Sequence, residues 1–181
     1  MKEDITQEIV FDKNVTASLD NGLLKIQGPK GSVQRFFHNP KITLTIESNK
    51  IMLRSPQSTK REKKIISSFR VHIQNMVKGV QEPYVYRLKI CSGHFPMNVS
   101  VSGNDFIIKN FLGESVPRKI TFSKEATVKI DSSEIIVTSV DKEIAGQTAA
   151  TIETMCRITN RDRRIFQDGC YIIHKAGKDL V

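Results

Sequence analysis

Tryptophan is absent from the 181 residues, cysteine occurs only three times, and aromatic residues make up 7% of the chain. The scarcity of aromatic rings disfavours a surface that binds single-stranded nucleic acid by base stacking, because such surfaces rely on aromatic platforms. The cysteines, Cys91, Cys156 and Cys170, are widely separated and odd in number, which is unlike the paired framework of a disulfide-stabilised secreted domain. We therefore expect the chain to work in a reducing compartment.

Long apolar runs are also missing. No stretch approaches the ~20 consecutive apolar residues that a membrane-spanning helix needs. The polar residues 1–4 are not followed by the apolar core of a secretion signal. We expect the protein to stay in the compartment where it is made, without a membrane partner.

Motifs of catalysis and metal binding are equally scarce. The sequence contains no HExxH, no CxxC pair, no phosphate-binding GxxxxGK[ST] loop and no GxSxG elbow. Cys91 and His94 could be paired as nucleophile and base, but residues three apart after a strand more often serve packing and a turn. We expect no cofactor, no metal and no enzymatic activity.

Positive charge is what the chain has in excess. It contains 28 Lys and Arg against 19 Asp and Glu, for a net charge of +9. Residues 1–82 carry 14 basic and 8 acidic residues, residues 83–156 carry 8 of each, and residues 157–181 carry 6 and 3. This uneven excess predicts an anionic partner such as nucleic acid.

The hydrophobic pattern occurs twice in the same order. Alternating segments typical of half-buried strands precede a segment with helical spacing in each half. The strand segments are 15–19, 24–26, 42–46 and 51–53, then 84–90, 98–102, 106–108, 126–130 and 135–137. The helical segments are 66–77 and 145–156. Because Gly31 and Gly113 are 82 residues apart, and Ile42 and Ala126 84 apart, the pattern favours a tandem duplication.

The predicted fold is α+β, with two small domains, each an antiparallel β-sheet with one helix packed on one face. We place the first repeat at residues 1–82 and the second, with a basic C-terminal tail, at residues 83–181. Thr59 and Glu62 have capping-box spacing for the first helix, and Gly79 is a natural stop for it. Ser139 or Asp141 would cap the second helix.

Two clusters of basic residues are candidates for phosphate contact. The first opens the first helix and consists of Lys60, Arg61, Lys63 and Lys64. An ordinary solvated helix face explains that cluster equally well. The second lies in the tail and consists of Arg157, Arg161, Arg163, Arg164, Lys175 and Lys178. Four arginines within eight positions favour phosphate contact, since the guanidinium fork binds phosphate in a two-point geometry.

Four stretches carry a family resemblance. They are Asn-Met-Val-Lys-Gly-Val at 75–80, His-Phe-Pro-Met at 94–97, Asn-Phe-Leu-Gly-Glu from 110 with Pro-Arg at 117–118, and Arg-Ile-Phe-Gln-Asp-Gly-Cys-Tyr-Ile from 164 with Lys175. With these residues the chain resembles the large-subunit ribosomal protein L6 family, in its archaeal and eukaryotic branch. Cys170 departs from the aliphatic residue usual in the family, but cysteine is itself a small, commonly buried hydrophobe.

The resemblance implies a structural constituent of the large ribosomal subunit, bound to its ribosomal RNA in the cytoplasm. It implies a place near the docking region of translational GTPases, which would be transient partners, with ribosomal proteins near the stalk base as neighbours. It also makes the tail residues Arg161, Arg163, Arg164 and Lys175 phosphate ligands. It adds three residues of the second repeat to the RNA-binding set, namely Gly113, Arg118 and Lys119.

Two alternatives remain open from the sequence. One is a nucleic-acid-binding protein that acts outside the ribosome. The other is a protein-interaction module that uses the neutral residues 83–156 as a docking face, which is compatible with RNA binding. For an RNA-binding protein, Asp168 and Gly169 are predicted to form a turn rather than a metal site, and the tail would order on contact with RNA.

Overall fold

The computed structural model describes residues 3–12, 14–93 and 95–180. The remaining residues, among them the candidate base His94, lie outside the described parts of the chain. The chain divides into two compact units, unit 1 at Met1–Pro83 and unit 2 at Tyr84–Val181. Each unit is described by itself.

Unit 1 consists of six strands followed by one long helix. Its elements are β1 (Glu3–Val10), β2 (Thr16–Asp20), β3 (Leu23–Gly28), β4 (Gly31–Phe36), β5 (Thr43–Glu47), β6 (Lys50–Ser58) and α1 (Lys60–Gln81). The strands form two antiparallel sheets, in the orders β1-β6-β5 and β2-β3-β4. In the first sheet Ile51 of β6 is paired with Ile9 on one side and Ile46 on the other, so that aliphatic side chains share one face of the sheet.

Helix α1 begins at the predicted capping box. Thr59 is the N-cap, and its backbone N–H donates to the Glu62 side chain while its own side chain accepts from the first turn. The predicted stop at Gly79 is wrong, because Gly79 is buried inside the helix, which runs to Gln81. The helix ends where Pro83 forces the preceding residue into an extended conformation.

The last turn of α1 is held by the hairpin between β3 and β4. Lys30 N donates to Val80 O at 3.0 Å, and the Val80 side chain is buried. A Cβ on Gly28 would lie 2.8 Å from Val80 Cγ2, closer than side chains pack. Gly28 is therefore required for the close approach of hairpin and helix.

Unit 2 repeats this order and then adds two strands. Its elements are β7 (Tyr84–Cys91), β8 (Asn98–Ser102), β9 (Asp105–Lys109), a 3₁₀ turn (Phe111–Gly113), β10 (Arg118–Thr121), β11 (Thr127–Asp131), β12 (Glu134–Ser139), α2 (Lys142–Met155), β13 (Gly169–Lys175) and β14 (Lys178–Asp179). The sheets have the orders β11-β12-β7-β13-β14 and β10-β9-β8. Asp141 is the N-cap of α2 and accepts from Glu143 N at 2.8 Å.

The core of unit 2 lies between α2 and the larger sheet. Leu88, Ile135 and Ile152 are fully buried there, and Phe106 and Phe111 extend the same cluster toward the smaller sheet. Ala145 and Ala149 face inward on α2, which brings the helix close to β7 and β12. One face of the helix thus covers the sheet, as its apolar spacing predicts.

The two units correspond element by element, so the predicted α+β duplication is confirmed. The order β1-β6-β5 matches β7-β12-β11, and β2-β3-β4 matches β8-β9-β10. Two features differ from the sequence prediction. The strands of each repeat divide between two sheets, and residues 169–175 are not tail but form β13, which pairs with β7 along its length.

Candidate nucleic-acid interface

Three loops of unit 2 meet at one end of the unit. They comprise residues 92–93 with 95–97, 110–117, and 156–168, and we call this region the loop end. Asn110 Nδ2 donates to Pro96 O at 3.0 Å, which joins the first loop to the second. The Asp168 carboxylate accepts from Gly93 N, which joins the first loop to the third. Asp168 is buried, so this contact fixes the third loop from within.

Arg118 joins the second loop to the end of α2. Its guanidinium donates twice to the Glu114 carboxylate, at 2.6 and 2.8 Å, and once to Met155 O at 2.5 Å. It also lies 4.2 Å from the centroid of the buried Phe111 ring. The hydrogen bonds between the Arg118 and Glu114 side chains lower the pKa of Glu114 and raise that of Arg118. Because the guanidinium donors are engaged within the protein, the geometry favours a positioning role for Arg118. The sequence had predicted a phosphate ligand at this position.

Gly113 closes the 3₁₀ turn with a left-handed backbone. Its φ is +80°, and Asn110 and Leu112 are left-handed as well, with φ of 61° and 50°. Such values are uncommon for residues with side chains and mark a constrained loop. The Phe95 ring lies 3.6 Å from where a Cβ on Gly113 would stand. Gly113 thus shapes the loop by its backbone, and it presents no side chain to a ligand.

The third loop carries the arginines 157, 161, 163 and 164, which we call the arginine segment. All four residues are exposed. Arg164 is paired with Asp162 at 2.7 Å, and hydrogen bonds from Arg164 lower the pKa of Asp162. The Arg161 guanidinium lies 5.3 Å from the centroid of the Phe166 ring. The segment therefore displays its guanidinium groups outward from an anchored turn.

Two cavities flank Tyr171 beside the arginine segment. One, of about 360 Å³, is lined by Arg157, Arg163 and Tyr171 among others. The other, of about 730 Å³, is lined by Lys89, Ile165 and Tyr171 among others. Lys89 was not among the predicted site residues, although its exposed position in the alternation of β7 could have indicated it. The loop end is thus both concave and basic.

Lys175 and Lys178 do not lie with the arginines. They face each other across the hairpin between β13 and β14. Since β13 starts at the loop end with Gly169 and spans seven residues, its far end is about 20 Å away. Lys119 lies on β10 and is paired with Asp105 at 2.8 Å. The structure thus separates Lys175 and Lys178 from the arginines with which they form one basic tail in the sequence.

The first basic cluster surrounds the start of α1. Lys60, Arg61, Lys63 and Lys64 are exposed, while Glu62 between them is buried. Hydrogen bonds from Thr59, and from Lys41 Nζ at 3.1 Å, lower the pKa of Glu62 to about 2. Basic side chains at the start of a helix add their charge to the positive end of the helix dipole. This cluster therefore concentrates positive potential at one place. Lys41 lies beside this cluster although it precedes Lys60 by 19 residues, and no pattern in the sequence indicates this contact.

Comparison with known proteins assigns the chain to a family. A family model described as ribosomal protein L6 matches residues 11–83 and again residues 95–169. The chain belongs to the ribosomal protein L6 family. It is 45% identical to the large ribosomal subunit protein uL6 of Nanoarchaeum equitans, over 98% of this chain and 96% of that protein. The uL6 proteins of Methanococcus vannielii and Methanosarcina mazei are 40% and 38% identical, each over 97% of this chain and 97% and 100% of their own lengths.

The two L6 matches coincide with the two structural repeats. One falls in unit 1 and the other in unit 2, and the second includes the whole arginine segment. The relatives are archaeal, so the resemblance to the archaeal-type branch is confirmed. Cys170 is a fully buried free thiol. A hydrogen bond with Cys156, together with burial, raises the pKa of Cys170, which keeps it a neutral core residue.

Membrane and metal sites find no support in the described residues. None of the helices there is both long and apolar enough to cross a membrane. In the same part of the chain, no group of three or more His, Cys, Asp or Glu side chains is arranged to hold a metal ion.

Proposed function

We propose that this L6-family chain is a structural, non-enzymatic protein of the large ribosomal subunit in the cytoplasm, where it binds large-subunit ribosomal RNA through phosphate contacts. The observation that carries the proposal is the arginine segment, four exposed arginines displayed from an anchored loop. The relatives, which match nearly the whole chain, are named as large ribosomal subunit proteins.

The loop end would act as a rigid basic clamp. Arg161, Arg163 and Arg164 would each contact phosphate, and Arg164 would exchange its exposed partner Asp162 for a phosphate oxygen. Such contacts fix position and orientation and carry little sequence information. RNA folded into helices is recognised mainly by shape, phosphate and sugar. Neutralising phosphates where RNA helices pack together would stabilise the tertiary structure of the RNA.

Arg118 and Asp168 would support this clamp without touching RNA. Arg118 ties the loop of Gly113 to the end of α2, just before Arg157. Asp168 ties the other end of the arginine segment to Gly93. Anchoring at both ends reduces the conformational entropy that the segment loses when it binds.

The remaining basic residues would contact other RNA segments. Lys175 and Lys178 lie about 20 Å from the loop end, which is more than one phosphate spacing away. The cluster of Lys60, Arg61, Lys63 and Lys64, extended by Lys41, would be a separate contact made by unit 1. Lys119 would be a weaker contact, since Asp105 already neutralises part of its charge.

The site would lie near the docking region of translational GTPases, beside ribosomal proteins at the stalk base, as the family resemblance implies. The neutral net charge of residues 83–156 suits protein neighbours on the rest of unit 2. The arginine segment would thus contact RNA, and the neutral surface would contact proteins.

Removal of three arginines tests the phosphate contacts. The variant R161A/R163A/R164A would be titrated with deproteinised large-subunit ribosomal RNA at several salt concentrations. Each lost phosphate contact lowers the slope of log affinity against log salt by about 0.7–0.9. For three lost contacts we expect the slope to fall by about 2–3. The control variant K25A/K124A/K129A removes the same charge from exposed lysines outside both clusters. An equal fall of the slope in both variants would refute the assignment.

A further inference from the structure

The two repeats differ at one sheet edge. In unit 2 the strand β7 pairs with β12 on one side and with β13 on the other. In unit 1 the corresponding strand β1 pairs with β6, and none of the strands in the described residues pairs with its outer edge. The register fixes the correspondence, because Ile9 of β1 is paired with Ile51 just as Leu88 of β7 is paired with Ile135.

The chain course explains why unit 1 has no strand of its own for this place. After α2 the chain returns through residues 156–168 and adds β13 beside β7. After α1 it passes through Pro83 directly into β7, the first strand of the next repeat. The outer edge of β1 therefore carries backbone N–H and C=O groups in the arrangement that can pair with another strand.

The charge of β1 is opposite to that of the protein as a whole. The strand contains Glu3, Asp4 and Glu8 and no basic residue, in a chain with a net charge of +9. Glu8 is paired with Lys50 at 3.3 Å, but both side chains are half exposed, so the pair neutralises this charge only weakly. An acidic edge repels the phosphates of RNA and attracts basic side chains.

We propose that the outer edge of β1 binds an extended segment of another protein, rich in lysine and arginine, which adds to the sheet as an antiparallel strand. Strand β13 shows the fit that such a segment would have. Ile172 of β13 is paired with Leu88 of β7. The residue of β1 that corresponds to Leu88 is the buried Ile9. The acidic residues of β1 would select basic side chains at alternate positions of the added strand.

Gln7 gives a second indication at the same edge. Gln7 of β1 corresponds to Tyr86 of β7, and Tyr86 is paired with Lys175 of β13. The Oε1 atom of Gln7 is buried and accepts no hydrogen bond from the described residues. A donor from an added strand would satisfy this atom, as buried acceptors are normally satisfied.

A synthetic peptide tests the proposal without RNA, so its outcome is independent of the proposed ribosomal function. The probe is acetyl-Lys-Val-Lys-Ile-Lys-Val-Lys-amide, and its twin has Gln in place of every Lys. The protein as a whole repels such a cation, so binding would report a local acidic site. At low salt we expect the Lys peptide to bind at least tenfold more tightly than the twin. Hydrogen exchange should slow within residues 3–10.

Two matched substitutions locate the site. Glu8 lies on β1, and Glu47 lies on β5 at the opposite edge of the same sheet, where its register partner is Lys50. We expect Glu8→Lys to weaken binding at least fivefold and Glu47→Lys to change it less than twofold. Equal effects, protection outside β1, or no binding at millimolar peptide would overturn the proposal. Protection of β1 by purified ribosomal RNA would assign the edge to RNA and also overturn it.

Discussion

Replacement of Arg118 tests whether this residue positions the loop end or binds phosphate. The variant Arg118→Lys keeps the positive charge but loses the planar fork that contacts Glu114 and Met155 O together. If Arg118 positions the loop end, the lysine variant should lose most of the stability that the alanine variant loses. If Arg118 were instead a phosphate ligand, the lysine variant should keep most of its affinity for RNA.

The expected loss can be worked out from the contacts. The partly exposed pair with Glu114 contributes about 0.2–1 kcal/mol. The stacking of the guanidinium on Phe111 contributes about 0.5–1 kcal/mol. The contact with the last carbonyls of α2 contributes about 0.3–1 kcal/mol. Arg118→Ala should therefore lower the free energy of unfolding by about 1–3 kcal/mol, and Arg118→Lys by somewhat less.

Urea unfolding of both variants, with RNA titration of the folded proteins, gives the answer. We expect Arg118→Lys to lower the unfolding midpoint and to weaken RNA binding while leaving its salt slope unchanged. Glu114→Gln serves as the matched partner in a double-mutant cycle with Arg118→Ala. An Arg118→Lys variant as stable as the parent, together with an Arg118→Ala variant whose salt slope falls by nearly one, would refute the positioning role.

Two further predictions concern buried carboxylates. The pKa of Glu62 is lowered to about 2, so the stability that it contributes is present above about pH 4.5 and is lost as the pH falls toward 2. Urea unfolding from pH 6 to pH 2.5 should thus show that the free energy of unfolding falls less for Glu62→Gln than for the parent. Parallel curves of the free energy of unfolding against pH would contradict this. Asp168→Ala removes the acceptor of Gly93 N and should lower the free energy of unfolding by about 1–3 kcal/mol. It should also weaken RNA binding although the net charge rises by one, and tighter binding would contradict the anchoring role.

Elements with a clean local pattern could be predicted from the sequence. The apolar alternation of β8 and the capping box of α1 are short-range features that tertiary contacts leave intact. Strand β1 was missed, since Gln7 interrupts its inward-facing aliphatic residues Ile5 and Ile9. Strand β13 was missed because a bulge after Ile172 breaks its alternation.

The site was predictable in composition but not in arrangement. The density of arginines from Arg157 to Arg164 is visible in the sequence. The engagement of Arg118 is not, because its acceptor at Met155 lies 37 residues away and is a backbone atom. The distance between the arginine segment and Lys175 follows from the pairing of β13 with β7, which is a long-range contact.

Sedimentation of the tagged chain from a native lysate, with and without ribonuclease, tests the central proposal most directly. We expect the chain to migrate with the large ribosomal subunit and ribonuclease to release it. Migration as a free protein in both samples would contradict a ribosomal role. Migration with RNA other than the large subunit would favour a nucleic-acid-binding role outside the ribosome.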